Sequence, residues 1–114
     1  LGVAFKKDIN DARNSPALKV IEELVNRGAQ VSYHDPFVRS VGNGSEFFDV
    51  DSAISCMRSV KLSRKLLESQ DCVVLLVDHE CFNIRDVVKN SKLVVDTKNV
   101  TKGIRAKGAR IVKI

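Results

Sequence analysis

Apolar residues follow two rhythms along this chain. Ala17, Leu18, Ile21, Leu24 and Val25 recur at the spacing of one helical face, while Lys19, Glu22, Glu23 and Arg27 take the wet side. Ser15-Pro16 supplies a helix start, serine as the N-cap and proline at the first helical position, and Gly28 supplies the stop. Elsewhere the apolar positions run together. Cys72 to Val77 is unbroken, the pattern of a central parallel strand covered on both faces. Leu93 to Val95 reads as another buried strand, and Ala109 to Val112 as the strand that closes the sheet. Gln30 to His34, between Gly28 and Asp35-Pro36, reads as a further strand. Leu1 to Ala4 reads as the tail of a first one. Short helices are expected at Ser63 to Ser69, with Leu66 and Leu67 inward, and at Ile84 to Lys89. Phe37 to Met57 has the weakest pattern, with a turn at Gly42-Asn43-Gly44 and a short strand at Glu46 to Val50.

Strands alternating with helices predict an α/β fold: a Rossmann-like, doubly wound, mostly parallel sheet in three αβα layers. No repeat, linker or low-complexity segment divides residues 1–114, so one domain is expected. Because the chain opens on the end of a strand, it is expected to begin partway into a larger protein.

Composition narrows the function. The chain is 44% apolar and 29% charged, enough to pack a core. No apolar run approaches the roughly 20 residues of a membrane helix, and no signal peptide is recognisable. The net charge of +5 is spread along the chain with only 5% aromatics, which argues against a nucleic-acid surface. It leaves room for small anions such as phosphates and nucleotides. Cys56, Cys72 and Cys81 are odd in number and contain no C-x-x-C, which suits a reducing cytosol. Cys72, inside an apolar run, is expected to be a buried hydrophobe. Neither His34 nor His79 has a second ligand at zinc spacing, so no metal site is expected.

Open α/β sheets bind ligands at the carboxyl ends of their strands. That rule selects Phe5 to Asn14, His34-Asp35-Pro36, Asp78-His79-Glu80 and Asp96 to Asn99. The first is long for a strand-to-helix loop. It carries Lys6, Lys7, Asp8, Asp11 and Arg13 and leads into a helix amino end, where N–H groups and the macrodipole attract anions. The plainer alternative is that Asp8 and Asp11 pair with Lys7 and Arg13 and merely fix the loop. Lys98 could reach across to a phosphate or sugar, or be a solvated turn lysine. His79 reads as structural or rim rather than catalytic, because no nucleophile in a recognisable setting accompanies it. His34 reads as packed or exposed. No dinucleotide fingerprint is present, since Gly42-x-Gly44 lacks a third glycine and does not join a strand to a helix.

Leu1-Gly2-Val3-Ala4-Phe5-Lys6-Lys7-Asp8, then Asp11, Arg13, Ser15-Pro16, Gly28-Ala29 and Tyr33-His34-Asp35-Pro36, closely resemble the opening of the C-terminal domain of the UDP-glucose/GDP-mannose dehydrogenase family. Asp78-His79 and Val94-Val95-Asp96-Thr97-Lys98-Asn99 also look like this family. The Tyr33-His34-Asp35-Pro36 and Asp96-Thr97-x-Asn99 forms look most like the branch acting on UDP-N-acetylglucosamine or UDP-N-acetylmannosamine. The resemblance implies that residues 1–114 are the UDP-binding part of a cytoplasmic, homo-oligomeric enzyme of polysaccharide biosynthesis. Its NAD-binding N-terminal domain and central helical region would lie elsewhere in the same polypeptide. Such enzymes oxidise the C6 alcohol of a UDP-sugar to a carboxylate in two NAD-dependent steps through a cysteine-bound intermediate. None of Cys56, Cys72 or Cys81 has the nucleophile's context, so no catalytic residue is expected here. By the same resemblance Phe5 and Lys6 contact the substrate, and Arg13 reaches the NAD. Lys98 contacts substrate at a position where relatives often carry arginine; lysine keeps the charge and loses the planar fork. The alternative reading is a non-catalytic α/β module that binds nucleotides or serves regulation or assembly. A receiver-like signalling domain would need acidic residues where Phe5-Lys6-Lys7 stands.

Overall fold

The computed structural model describes residues 1–13, 15–42, 55–105 and 109–114. The elements in chain order are α1 (Pro16–Asn26), β1 (Ser40–Val41), β2 (Met57–Arg58), α2 (Arg64–Ser69), β3 (Val73–Leu75), α3 (Ile84–Asn90), β4 (Leu93–Asp96) and β5 (Arg110–Lys113). Each helix begins where a polar side chain caps its first turn. The Ser15 hydroxyl accepts from Ala17 N, that of Ser63 from Leu66 N, and the Asn83 side chain from Asp86 N.

Strands β3, β4 and β5 form a parallel sheet in that order. Two extended segments continue it. Leu1 N donates to Val74 O and Leu76 N donates to Leu1 O, the parallel pattern in which one residue bonds two positions of its neighbour. Gly2 N then donates to His34 O, which sets residues 31–34 beyond the first segment. The expected strands at Leu1 to Ala4 and Gln30 to His34 therefore lie beside the sheet but form no ladder of their own.

The pleat sorts the core into two layers. Val73 and Leu75 face α2 and α3, where they pack with Leu67, Val87, Val88 and Val94. Leu76 faces the other way, against a cluster containing Val3, Ala4, Leu18, Ile21 and Tyr33. The result is helix α1 on one face and α2 with α3 on the other, the expected three-layer α/β arrangement.

Two expectations fail. Cys72 is exposed, because the ladder starts at Val73 and leaves the first residue of the apolar run outside it. Val25 is 43% exposed, because the last turn of α1 runs past the cluster that buries Ala17, Leu18 and Ile21. Of the weakly patterned stretch, residues 37–42 and 55–57 are described, Gly42 of the expected turn among them. The remainder of its turn and the strand expected at Glu46 to Val50 lie outside the described residues. The flanks of that stretch pair with each other. Ser40 and Val41 form a two-residue antiparallel ladder with Arg58 and Met57, and Ser59 N donates to Arg39 O. Among the described residues, no helix is long and apolar enough to cross a membrane.

Candidate functional site

A cleft of about 80 Å³ opens at the carboxyl ends of the strands. Its lining draws on four places separated in sequence: Phe5, Lys6 and Lys7; Ser15 to Ala17; Asp78; and Lys98. The three residues expected to contact substrate, Phe5, Lys6 and Lys98, thus line one concavity. Phe5 is 47% exposed there, an aromatic face left in water beside two lysines. A larger groove, about 730 Å³, lies toward the amino ends of the strands between residues 28–33 and 69–76. Asp71 is the charged residue in its lining, so its size does not make it the better site for an anion.

Two buried aspartates hold the walls of the small cleft. Asp35 Oδ2 accepts from Val3 N at 2.8 Å and Ala4 N at 3.1 Å, the residues that deliver the chain to Phe5. Its Oδ1 accepts from Phe37 N. Asp96, at the end of β4, gathers the next turn: Oδ1 accepts from Lys98 N and Val100 N, and Oδ2 from the amide and hydroxyl of Thr101. Burial alone would raise the Asp96 pKa, but these hydrogen bonds outweigh it and hold the carboxyl below its ordinary value. Lys98 stands on a turn fixed in this way, with Asn99 in the left-handed region at φ 59°.

The loop after Ala4 is closed on itself. Phe5 N donates to Asp11 O at 2.7 Å. Asp8, at φ 58°, donates its amide to His79 Nδ1 and accepts from Glu80 N through Oδ1. Arg13 grips Asp11 through Nε and Nη2, which lowers the Asp11 pKa and raises its own. Its side chain is 71% exposed and does not line the cleft. Of the two pairings expected to fix this loop, Asp11 with Arg13 is present, while Asp8 is tied to residues 79 and 80.

The amino end of α1 contributes less than its position suggests. Pro16 has no N–H, Ala17 N is taken by the Ser15 hydroxyl at 3.3 Å, and Leu18 N donates to Ser15 O. The expected cradle of open helix amides is thus filled from within, and the macrodipole is what remains for an anion. Lys7 and Asp78, which lie in segments selected by the strand-end rule but without an expected ligand contact of their own, also line the cleft. Lys7 adds a third cation to its lining, and its adjacency to Lys6 was the available signal. His34 is half-buried and donates from Nδ1 to Val60 O at 2.6 Å, a packed role.

Comparison with known proteins identifies the family of the chain. The model of the UDP-glucose/GDP-mannose dehydrogenase family, UDP binding domain, matches residues 1–103. A UDP-N-acetyl-D-mannosamine dehydrogenase of Pyrococcus horikoshii is 31% identical over 90% of this chain and 21% of its own length. One from Methanocaldococcus jannaschii is 30% identical over 87% and 22%. An NDP-N-acetyl-D-galactosaminuronic acid dehydrogenase of Ralstonia nicotianae is 29% identical, also over 87% and 22%. The chain therefore spans about a fifth of the length of these relatives. No solved structure matches it.

Proposed function

The chain belongs to the UDP-glucose/GDP-mannose dehydrogenase family, as its UDP-binding domain, and we propose that it holds the UDP portion of a UDP-sugar while an NAD-dependent dehydrogenase oxidises the sugar at C6. The observation that carries this reading is the convergence of Phe5, Lys6 and Lys98 on one cleft at the strand ends. Two lysines from different loops neutralise a diphosphate, with Lys7 beside them. Phe5 offers an apolar face to a ring of the ligand. A drug-sized ligand fills roughly 300 Å³ or more, so a cleft of about 80 Å³ encloses part of a nucleotide and leaves the rest to be covered. Another domain of the same polypeptide supplies that cover, and the intact enzyme is a homo-oligomer.

The diphosphate does not react. Its binding energy holds the distant sugar carbon in place, which is how remote contacts raise the rate of a chemical step. NAD, when bound, accepts hydride. Its main site lies elsewhere in the intact protein, and Arg13 is the residue of this chain that reaches it. With Nε and Nη2 committed to Asp11, the guanidinium is oriented outward from the loop rather than into the cleft.

The catalytic nucleophile is not among these residues. Cys56, Cys72 and Cys81 are free and exposed, and desolvation raises the Cys72 thiol pKa, opposite to what a nucleophile needs. Three free thiols suit a reducing cytoplasm. The resemblance to N-acetylhexosamine enzymes favours a UDP-N-acetylhexosamine as the substrate. Lys6→Ala in the intact protein tests the reading. Loss of one charge-assisted contact should weaken UDP-sugar binding about tenfold or more, and unchanged affinity would remove Lys6 from the site.

A further inference from the structure

The site gives no direct role to His79, yet its side chain is fully buried and both ring nitrogens are engaged. Asp8 N can only donate, and it lies 2.8 Å from Nδ1, so that nitrogen carries no proton. The ring proton therefore sits on Nε2, which donates to Asp35 Oδ2 at 2.8 Å. Phe37 and Phe82 pack against the ring with centroids at 4.8 and 5.3 Å and keep it from turning. Asp35 Oδ2 also takes Val3 N and Ala4 N. One imidazole thus ties the entry to the ligand loop, through Asp35, to its midpoint, through Asp8.

From this geometry we propose that His79 is a positioning residue for the diphosphate. Its unprotonated Nδ1 holds Asp8 in a left-handed conformation and so keeps Lys6 and Lys7, the two residues before it, over the cleft. Glu80 N returns a bond to Asp8 Oδ1 at 2.8 Å, so the midpoint is pinned from both sides. The two ring nitrogens have separate tasks: Nε2 serves the buried core through Asp35, and Nδ1 serves the ligand. This rests on reading the cleft as a nucleoside-diphosphate site.

Two substitutions in the intact protein separate the tasks. His79→Asn places an amide oxygen near the Nδ1 position and keeps the acceptor for Asp8, but loses the donor to Asp35. His79→Gln reaches toward Asp35 with an amide N–H and leaves Asp8 N without its acceptor. Thermal melting should show the Asn variant as the less stable of the two. Calorimetric titration with UDP should show the opposite order, the Gln variant weakened about tenfold relative to the Asn variant. Equal losses, or affinity that follows melting temperature, would overturn the proposal. Absence of UDP binding by the wild-type protein would overturn it together with the function proposed above, whereas wild-type binding with equal losses overturns the role of His79 alone. Nitrogen-15 NMR of histidine-labelled wild-type protein gives a check that needs no variant to fold: His79 must be protonated at Nε2 only, and a proton on Nδ1 would end the proposal.

Discussion

Thr101 donates its hydroxyl to Asp96 Oδ2 at 2.6 Å, and the same oxygen takes the Thr101 amide. With Lys98 N and Val100 N on Oδ1, every donor aimed at this carboxylate among the described residues comes from the turn that carries Lys98. Asp96→Asn replaces one oxygen by an amide that faces N–H groups. It should cost roughly 2–3 kcal/mol by denaturant unfolding and weaken UDP binding through the loosened Lys98. The carboxyl also makes stability fall in acid. Its native pKa is depressed, so its contribution is complete above the unfolded value near pH 4 and is lost as pH falls through the native one. Asp96→Asn should flatten that part of the stability profile. An unchanged acid limb would mean that Asp96 contributes nothing to it.

Gly2 sits at φ +83°, and a Cβ built there would lie 2.5 Å from Val77 Cβ and 2.8 Å from Val77 O. Both the backbone conformation and the space exclude a side chain. Gly2→Ala should destabilise the protein by about 2–4 kcal/mol, measured by thermal or urea unfolding. It should also weaken UDP binding, since the displaced strand end leads directly to Phe5 and Lys6.

Arg13 stands apart from the cleft lined by Phe5, Lys6 and Lys98. Arg13→Ala in the intact enzyme should raise the apparent KM for NAD and leave UDP-sugar affinity unchanged. A shift confined to the UDP-sugar would place Arg13 in the wrong half of the site. Its pair with Asp11 is exposed, so melting temperature should move little.

Local signals in the sequence carried the helices well. Ser15-Pro16 marks the start of α1, the helix expected from Ser63 starts one residue later with Ser63 as its cap, and Ile84 is the first residue of α3. The buried strands were legible as apolar runs, though β3 is shorter than the run from Cys72 to Val77 that announced it. What stayed hidden was long-range. Ser40 pairs with Arg58 across an intervening stretch, and nothing in either dipeptide encodes the partner. The same holds at the site. Lys6 and Lys98 were visible as cations at strand ends, but the joint engagement of Asp35, His79 and Asp8 was not. Each of those residues looks ordinary in its own neighbourhood, and only folding brings Asp35 and Asp8 within 3 Å of His79. The helix amino end shows the reverse: the Ser15 that the sequence marks as a cap is itself what occupies the amides an anion would otherwise use.

Leu1 is bonded to the sheet through both sides of its backbone: its nitrogen donates to Val74 O, and its carbonyl oxygen accepts from Leu76 N. Phe5 and Lys6 follow only a few residues further on. A shift of this segment along β3 is therefore passed straight to the ligand loop, which is geared to the parallel sheet rather than hung from the surface.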